Sequence, residues 1–227
     1  MQKLSPAAVA RMKRWMSLIF GWMAMGTFIG LARGEVTIEG TVPLAKSVSA
    51  GITPSRYLNK TPGEVAPPEP AVAVVYLEGD FGLSPGTNSP VAQMEQQHFQ
   101  FAPGILPVQK GTVVEFPNLD DTYHNVFSYS KPKRFDLGRY RKDEKPAGLI
   151  FDKPGVVKLY CEIHEHMRGT ILVLETPYFA KTDPAGKYRL EHLPAGKYVL
   201  KAWVDEKTVL ERPVDLQDGR VLQVDFR

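Results

Sequence analysis

The 227-residue sequence is poor in cysteine: Cys161 is its single cysteine, whereas glycine and proline occur 19 times each. One cysteine cannot form a disulfide within its own chain, which excludes a fold held together by internal disulfides. Long amphipathic helical patterns are also missing, and short apolar runs alternate instead with Gly and Pro. This pattern is typical of an all-β protein, and a chain of this length can bury the cores of one or two domains.

Acidic residues are missing from the first 34 positions, which carry five basic residues and an apolar run from Trp15 to Ala32. A basic start, an apolar run and small residues at its end are typical of a secretory signal peptide. We therefore expect residues 1–34 to be a signal peptide and the protein to be periplasmic. If it is not cleaved, the run is nearly long enough to be an N-terminal membrane anchor. We expect no other membrane contact.

Outside this leader there is no large excess of charge of one sign. Of the 28 basic residues, 23 remain after the leader's five are removed, against all 25 acidic ones. A near-neutral chain gives no electrostatic reason to expect nucleic-acid binding. The densest basic run, Lys131–Lys145, is either a docking face for an acidic partner or a solvated loop.

Strand-like segments divide the rest of the chain into three parts. Residues 35–92 open with "EVTIEGTV", in which Val36, Ile38 and Val42 fall on one side of an alternating strand, and continue into a Pro-rich loop. Residues 93–176 hold several short strands rich in Val, Ile, Phe and Tyr, which predicts a compact sandwich or barrel. Residues 177–227 repeat the turn "PAGKY" twice and end in the alternating segment "VLQVDF".

Four residues with metal-binding side chains lie at the ends of predicted strands in the second part. Cys161, His164 and Met167 share the stretch "CEIHEHM" between two strands, and His124 follows a strand and a polar turn upstream. A thiolate, two imidazoles and a thioether suit copper, and His₂Cys with a weak axial Met is the blue-copper pattern. We expect one type-1 copper ion at these four residues.

Other interpretations of the same stretch remain open. His166 is an alternative fourth ligand in place of Met167, and three imidazoles with one thiolate would favour a redder copper centre or Zn²⁺. Cys161 is alternatively an inert buried thiol. A catalytic Cys161–His164 dyad is a further reading, but no glycine-rich elbow or orienting acid accompanies it in the sequence.

The segments "VEFPNLDDTYHNVF" and "GVVKLYCEIHEHM" resemble the cupredoxins, and the Cys-x-x-His-x-x-Met spacing is similar to that of amicyanin. The resemblance covers roughly residues 93–176 and implies a Greek-key cupredoxin-like sandwich or barrel there. It implies that Met167 is the axial ligand and that His164 is the exposed imidazole through which electrons leave. It also implies hydrogen bonds from Asn118 and Asn125 that support the ligand loops without touching the metal.

A second resemblance covers the tail. The stretch "TPYFAKTDPAGKYRLEHLPAGKYVLKAW" resembles a carboxypeptidase-regulatory-like or transthyretin-like segment. The whole chain is similar to exported bacterial proteins often labelled methylamine utilization proteins, which join such a segment to a cupredoxin-like one. The resemblance implies a small β-sandwich at residues 177–227. Strands from residues 35–92 would complete it, and the copper segment would be inserted between them.

Together these observations predict an exported blue copper protein that is not an enzyme. It would transfer single electrons between redox partner proteins such as a cytochrome or a dehydrogenase. A periplasmic copper carrier or store with the same ligands is one alternative. A binding module with a structural Zn or Cu site is another.

Overall fold

The computed structural model describes residues 35–44, 69–81, 91–144 and 148–227. All helical or strand structure in these ranges is β-strand, which confirms the predicted all-β class. None of these ranges contains a helix long and apolar enough to cross a membrane. The predicted signal peptide and most of the Pro-rich loop lie outside the described residues.

Ten described strands between Val91 and Leu174 form what we call the central sandwich. They are β3 (Val91–Gln93), β4 (Glu95–Gln97), β5 (Gln100–Ala102), β6 (Ile105–Gln109), β7 (Thr112–Glu115), β8 (His124–Tyr129), β9 (Arg134–Tyr140), β10 (Leu149–Phe151), β11 (Gly155–Tyr160) and β12 (Arg168–Leu174). Five of them make a sheet in the order β6-β12-β11-β8-β9. A second sheet has the order β10-β7-β3, and β4 pairs with β5 as a separate hairpin.

The core of the central sandwich is built by the alternation of side chains along these strands. Val157 and Leu159 of β11 and Val126 of β8 are fully buried in one cluster with Phe116 and Phe151. Successive side chains of a strand point to opposite faces, so every second residue of β11 faces this core. Full burial of each such side chain stabilises the fold by roughly 1.5–3 kcal/mol.

The remaining described strands form what we call the terminal sandwich. They are β1 (Val36–Thr41), β2 (Val74–Glu78), β13 (Phe179–Lys181), β14 (Lys187–Leu193), β15 (Gly196–Trp203), β16 (Val209–Leu216) and β17 (Val221–Gln223). Its sheets have the orders β14-β1-β17 and β13-β2-β15-β16. The two strands that precede the central sandwich, β1 and β2, thus pair with strands that follow it. The boundaries 35–92, 93–176 and 177–227 stay a prediction.

Both ends of the terminal sandwich follow the alternation predicted for them, with one difference. Val36, Ile38 and Val42 are buried together, as expected. The predicted final strand "VLQVDF" is shorter, because β17 ends at Gln223. The chain nevertheless continues alongside β1, since the N–H groups of Val224 and Phe226 donate to the carbonyls of Glu39 and Thr41 over 2.8 Å each.

Candidate metal centre

Strand register brings Cys161 and His124 to the same end of the central sandwich. Cys161 follows β11 directly and continues the inward alternation of Val157 and Leu159. His124 is the first residue of β8, and β8 and β11 are antiparallel neighbours in the five-stranded sheet. Both side chains are buried, His124 completely and Cys161 to within 4% exposure. The two donors therefore face each other beneath the surface.

His164 completes a cluster of three metal-binding side chains. The distance between the Nδ1 atoms of His124 and His164 is 3.0 Å, and Cys161 Sγ lies 3.8 Å from His164 Nδ1. One donor atom from each of the three residues lies within 4.8 Å of the others, so the group can hold a metal ion. Two imidazoles and one thiolate fit a soft transition metal better than a hard cation such as Mg²⁺ or Ca²⁺.

The loop from Cys161 to Met167 joins the antiparallel strands β11 and β12, as the sequence predicts. Met167 is buried, and its N–H donates to the His164 carbonyl over 2.9 Å. Its side chain belongs to the same core cluster as Cys161. His166 is partly buried, with its ring centroid 6.1 Å from that of His164.

Burial keeps the imidazoles of this loop and of His124 neutral. The pKa of His164 is lowered to about 4, chiefly by burial and also by the neighbouring His124 and His166, because a second positive charge would be repelled. Burial also lowers the pKa of His124, although the hydrogen bond with Asp120 opposes the shift. In His166, burial lowers the pKa against an opposing hydrogen bond to the Phe99 backbone. Neutral imidazoles are the form that binds metals.

The free energy of unfolding of the metal-free protein should therefore decrease as the pH falls. The pKa of His164 is about 4 in the folded chain against an ordinary 6.5. Below pH 6.5 the unfolded chain takes up a proton that the folded chain does not, so stability is lost as the pH falls from 6.5 towards 4. We expect the loss to be smaller in His164→Asn and unchanged in the control His98→Asn. Thermal unfolding at several pH values measures it, and equal losses in wild type and His164→Asn would contradict it.

Asp120 is a contact of the cluster that the sequence interpretation missed. Its Oδ2 lies 2.9 Å from His124 Nε2, and only 12% of its side chain is exposed. Burial alone would raise the pKa of Asp120, but hydrogen bonds from the Phe99 N–H, from His124 and from the His98 N–H together lower it. The carboxylate is thus an anion at neutral pH and can only accept hydrogen bonds.

The two predicted supporting residues, Asn118 and Asn125, hydrogen-bond to the segments that carry the donors. Asn118 Oδ1 accepts from the Asp120 N–H over 3.0 Å, and its amide donates to the carbonyls of Thr122 and Tyr140. Asn125 Oδ1 accepts from the Glu162 N–H over 3.1 Å. The second bond joins β8 to the loop that begins at Cys161.

A strained turn covers the two imidazoles. His98 and Phe99 connect β4 to β5 with φ values of 52° and 59°, in the left-handed region that costs a non-glycine residue about 1–2 kcal/mol. The Phe99 ring meets both imidazoles edge-on, with centroids 5.5 Å from His124 and 5.0 Å from His164. Two-residue hairpin turns of this kind usually carry Asn-Gly, so the sequence offers no turn signal at His98-Phe99.

The basic run Lys131–Lys145, described up to residue 144, lies largely in the β8–β9 hairpin and the turn after β9. Three of its basic side chains have carboxylate partners: Lys133 with Asp152 at 3.7 Å, Arg139 with Glu162 at 2.7 Å and Lys142 with Asp121 at 3.9 Å. Exposed pairs of this kind each stabilise by about 0–1 kcal/mol. The partial neutralisation favours the interpretation as a solvated surface over that as a docking face.

Comparisons with known proteins give similarities over part of the chain. The sequence matches no protein-family model and no curated protein. Among solved structures, it is similar to the Cu-containing nitrite reductase from Thermus scotoductus SA-01, at 28% identity over 38% of this chain and a TM-score of 0.35. The chain spans only 23% of the length of that reductase.

Two smaller proteins are matched over nearly their whole length. A Cu(I) form of an amicyanin mutant is 19% identical over 44% of this chain and 97% of its own, with a TM-score of 0.33. A purple cupredoxin from Nitrosopumilus maritimus is 22% identical over 37% of this chain and 99% of its own, with a TM-score of 0.32. Each match leaves more than half of the present chain uncovered.

Proposed function

We propose that this protein is an exported type-1 copper protein that passes single electrons between redox partners. The observation that carries the proposal is the convergence of one donor atom each from His124, Cys161 and His164 within 4.8 Å at one end of a β-sandwich. Met167 is proposed as the axial ligand because it is buried in the same cluster and follows His164 by three residues. Copper bound by such a set supplies a one-electron couple whose potential depends on the axial ligand.

The residues around the centre would serve this function by keeping the metal ligands in fixed positions. Cys161 and His124 stand at the ends of two neighbouring strands of a packed core, so their positions change little when the charge of the centre changes. The Asn125–Glu162 bond and the Met167–His164 bond fix the loop between them. Fixed ligands avoid the rearrangement that would slow electron transfer.

Export and a protein partner are parts of the same proposal. The leader at residues 1–34 supports a periplasmic location. Cys161 needs no disulfide partner in the oxidising periplasm. Its side chain is only 4% exposed, and a bound metal would also protect the thiol from oxidation. We propose a cytochrome or a dehydrogenase as the redox partner.

Two alternatives use the same residues differently. A copper carrier or store would bind and release the metal through His124, Cys161 and His164 without turnover. A binding module would use a structural ion, and Zn²⁺ would then stabilise the fold as well as copper does. We propose no bond chemistry, since the thiol of Cys161 is buried and offers no approach to a substrate.

The test is a titration of the purified mature protein with Cu(II), followed by visible spectroscopy. An intense blue, green or purple band that a reductant bleaches reversibly, with rapid electron exchange to a cytochrome, is the expected result. Fast metal transfer to an acceptor without electron exchange would favour the carrier. A colourless protein that is stabilised equally by Zn²⁺ would favour the structural site and contradict electron transfer.

A pair of variants decides between the two candidates for the fourth ligand. We expect Met167→Leu to shift the absorption band and raise the reduction potential, because the axial ligand tunes the potential of such sites. His166→Ala should leave both nearly unchanged, since His166 does not belong to the group of three donors formed by His124, Cys161 and His164. Spectroelectrochemistry measures both quantities. If His166→Ala changes them and Met167→Leu does not, His166 is the ligand.

A further inference from the structure

Three separate groups converge on the carboxylate of Asp120. Oδ2 lies 2.9 Å from His124 Nε2 and accepts the Phe99 N–H over 3.0 Å. Oδ1 accepts the His98 N–H over 2.8 Å. The Asp120 N–H itself donates to Asn118 Oδ1, which anchors the residue to a buried amide. One carboxylate therefore touches both a proposed ligand and the turn that covers it.

The first consequence concerns the tautomer of His124. A carboxylate only accepts hydrogen bonds, so a neutral His124 that bonds to it must carry its proton on Nε2. Its Nδ1 is then unprotonated, and this is the atom that faces His164 Nδ1 at 3.0 Å. Asp120 thus leaves the correct nitrogen of His124 free to bind a metal before any metal arrives.

The second consequence concerns the turn. Both central residues, His98 and Phe99, have positive φ, a conformation that persists in such residues only where neighbours enforce it. The N–H groups of these two residues are the ones that Asp120 accepts, and charge-assisted bonds of this type are the stronger kind. The hairpin is also anchored beyond the turn, where Phe101 is buried with its Cβ against Gly169 of β12.

We propose that Asp120 is the positioning residue of the centre: one carboxylate sets the metal-binding nitrogen of His124 and holds the Phe99 ring against both imidazoles. The part that names copper rests on the proposed function. The part that concerns the tautomer does not, because it is a property of the metal-free protein. The centre is in this sense prepared by a residue that touches no metal.

The experiment compares Asp120→Ala with Asp121→Ala in the full mature chain. Asp121 is the matched control, since it is the next residue and its carboxylate is 91% exposed. Ring ¹⁵N NMR of the metal-free proteins reports the His124 tautomer, and competition with a chelator reports Cu(I) affinity. We expect Asp120→Ala to lose the Nε2–H preference and to bind copper about 10–100-fold more weakly, the usual effect of losing such a partner. Asp121→Ala should match wild type in both.

A second variant guards against loss of the fold. His98→Gly in the Asp120→Ala background removes one strained position of the turn. We expect this double variant to recover the hairpin, as seen in amide NMR spectra, while the His124 tautomer and the copper affinity stay perturbed. Recovery of both by the glycine would show that Asp120 acts through the turn alone and would overturn its role on His124.

The outcomes separate this inference from the proposed function. If wild type forms no cysteine-ligated copper band, the proposed function fails, and the tautomer of His124 still decides the role of Asp120. If the band forms but Asp120→Ala has wild-type tautomer and affinity, the inference is wrong and the proposed function stands.

Discussion

Cys161→Ser is expected to abolish the visible band of the Cu(II)-loaded protein and to lower its copper affinity by more than about 100-fold, because even loss of a residue behind a ligand typically costs 10–100-fold. The thiolate is the soft ligand of the set, and it is the group whose bond to copper distinguishes blue-copper sites. A serine hydroxyl is harder and stays protonated near neutral pH. The change therefore removes the feature that selects copper.

The fold should survive this substitution. Cys161 and serine have similar size, and Cys161 lies at the end of β11 rather than within the ladder. Cys161→Ala is the companion variant, because it loses the ligand but keeps an apolar side chain in the core cluster. Both variants should keep the far-ultraviolet spectrum of wild type. Retention of the band or of wild-type affinity in either one would remove Cys161 from the centre and with it the proposed function.

Gly40→Ala is expected to destabilise the terminal sandwich by about 3 kcal/mol, at the upper end of the usual cost of overpacking. A Cβ at Gly40 would lie 1.8 Å from the carbonyl oxygen of Val224, which is backbone and cannot rotate away. That carbonyl also accepts the Tyr188 hydroxyl over 2.7 Å. The substitution therefore forces β1 away from the C-terminal segment. Denaturant unfolding of the metal-free protein measures the loss.

Gly138→Ala is the matched control for this prediction. Gly138 has a φ of +69°, and a Cβ there would meet nothing within 4 Å. Alanine at this position should lower the free energy of unfolding only through backbone strain, by about 1–2 kcal/mol. If Gly40→Ala costs no more than Gly138→Ala, the C-terminal segment does not lie against β1 as described.

The alternation of side chains along the strands could be predicted from the sequence. Val36, Ile38 and Val42 are predicted on one face from their period of two, and all three are buried. The same period places Cys161 on the inner face, because it follows Val157 and Leu159 at even spacing. Residue type and position at the ends of strands are local features of the sequence, so they predict the three donors His124, Cys161 and His164.

Features that depend on distant neighbours could not be predicted in the same way. Asp120 and Asp121 are adjacent and chemically identical, and only the fold decides that the first contacts His124 while the second is exposed. Phe99 lies in a turn whose sequence resembles a strand, since its positive φ is supported by a carboxylate 21 residues away. The partner of β17 is likewise remote in sequence, since Val221, Leu222 and Gln223 pair with Thr37, Ile38 and Glu39 of β1.

The nested pairing of strands has a consequence for the order in which the chain can fold. The N–H of Thr41 in β1 donates to Asp225 Oδ1, which lies 184 residues later in the sequence. Strand β2 can pair with β13 and β15 only after those later strands have been made. Pairings between such remote segments close large loops and slow folding, whereas the central sandwich uses partners from within its own 84 residues, Val91 to Leu174. As the chain emerges, the first strands must stay unpaired until the last ones arrive. An unpaired β1 would expose free backbone edges during this interval, and the strands that carry the metal ligands can pair before β1 does.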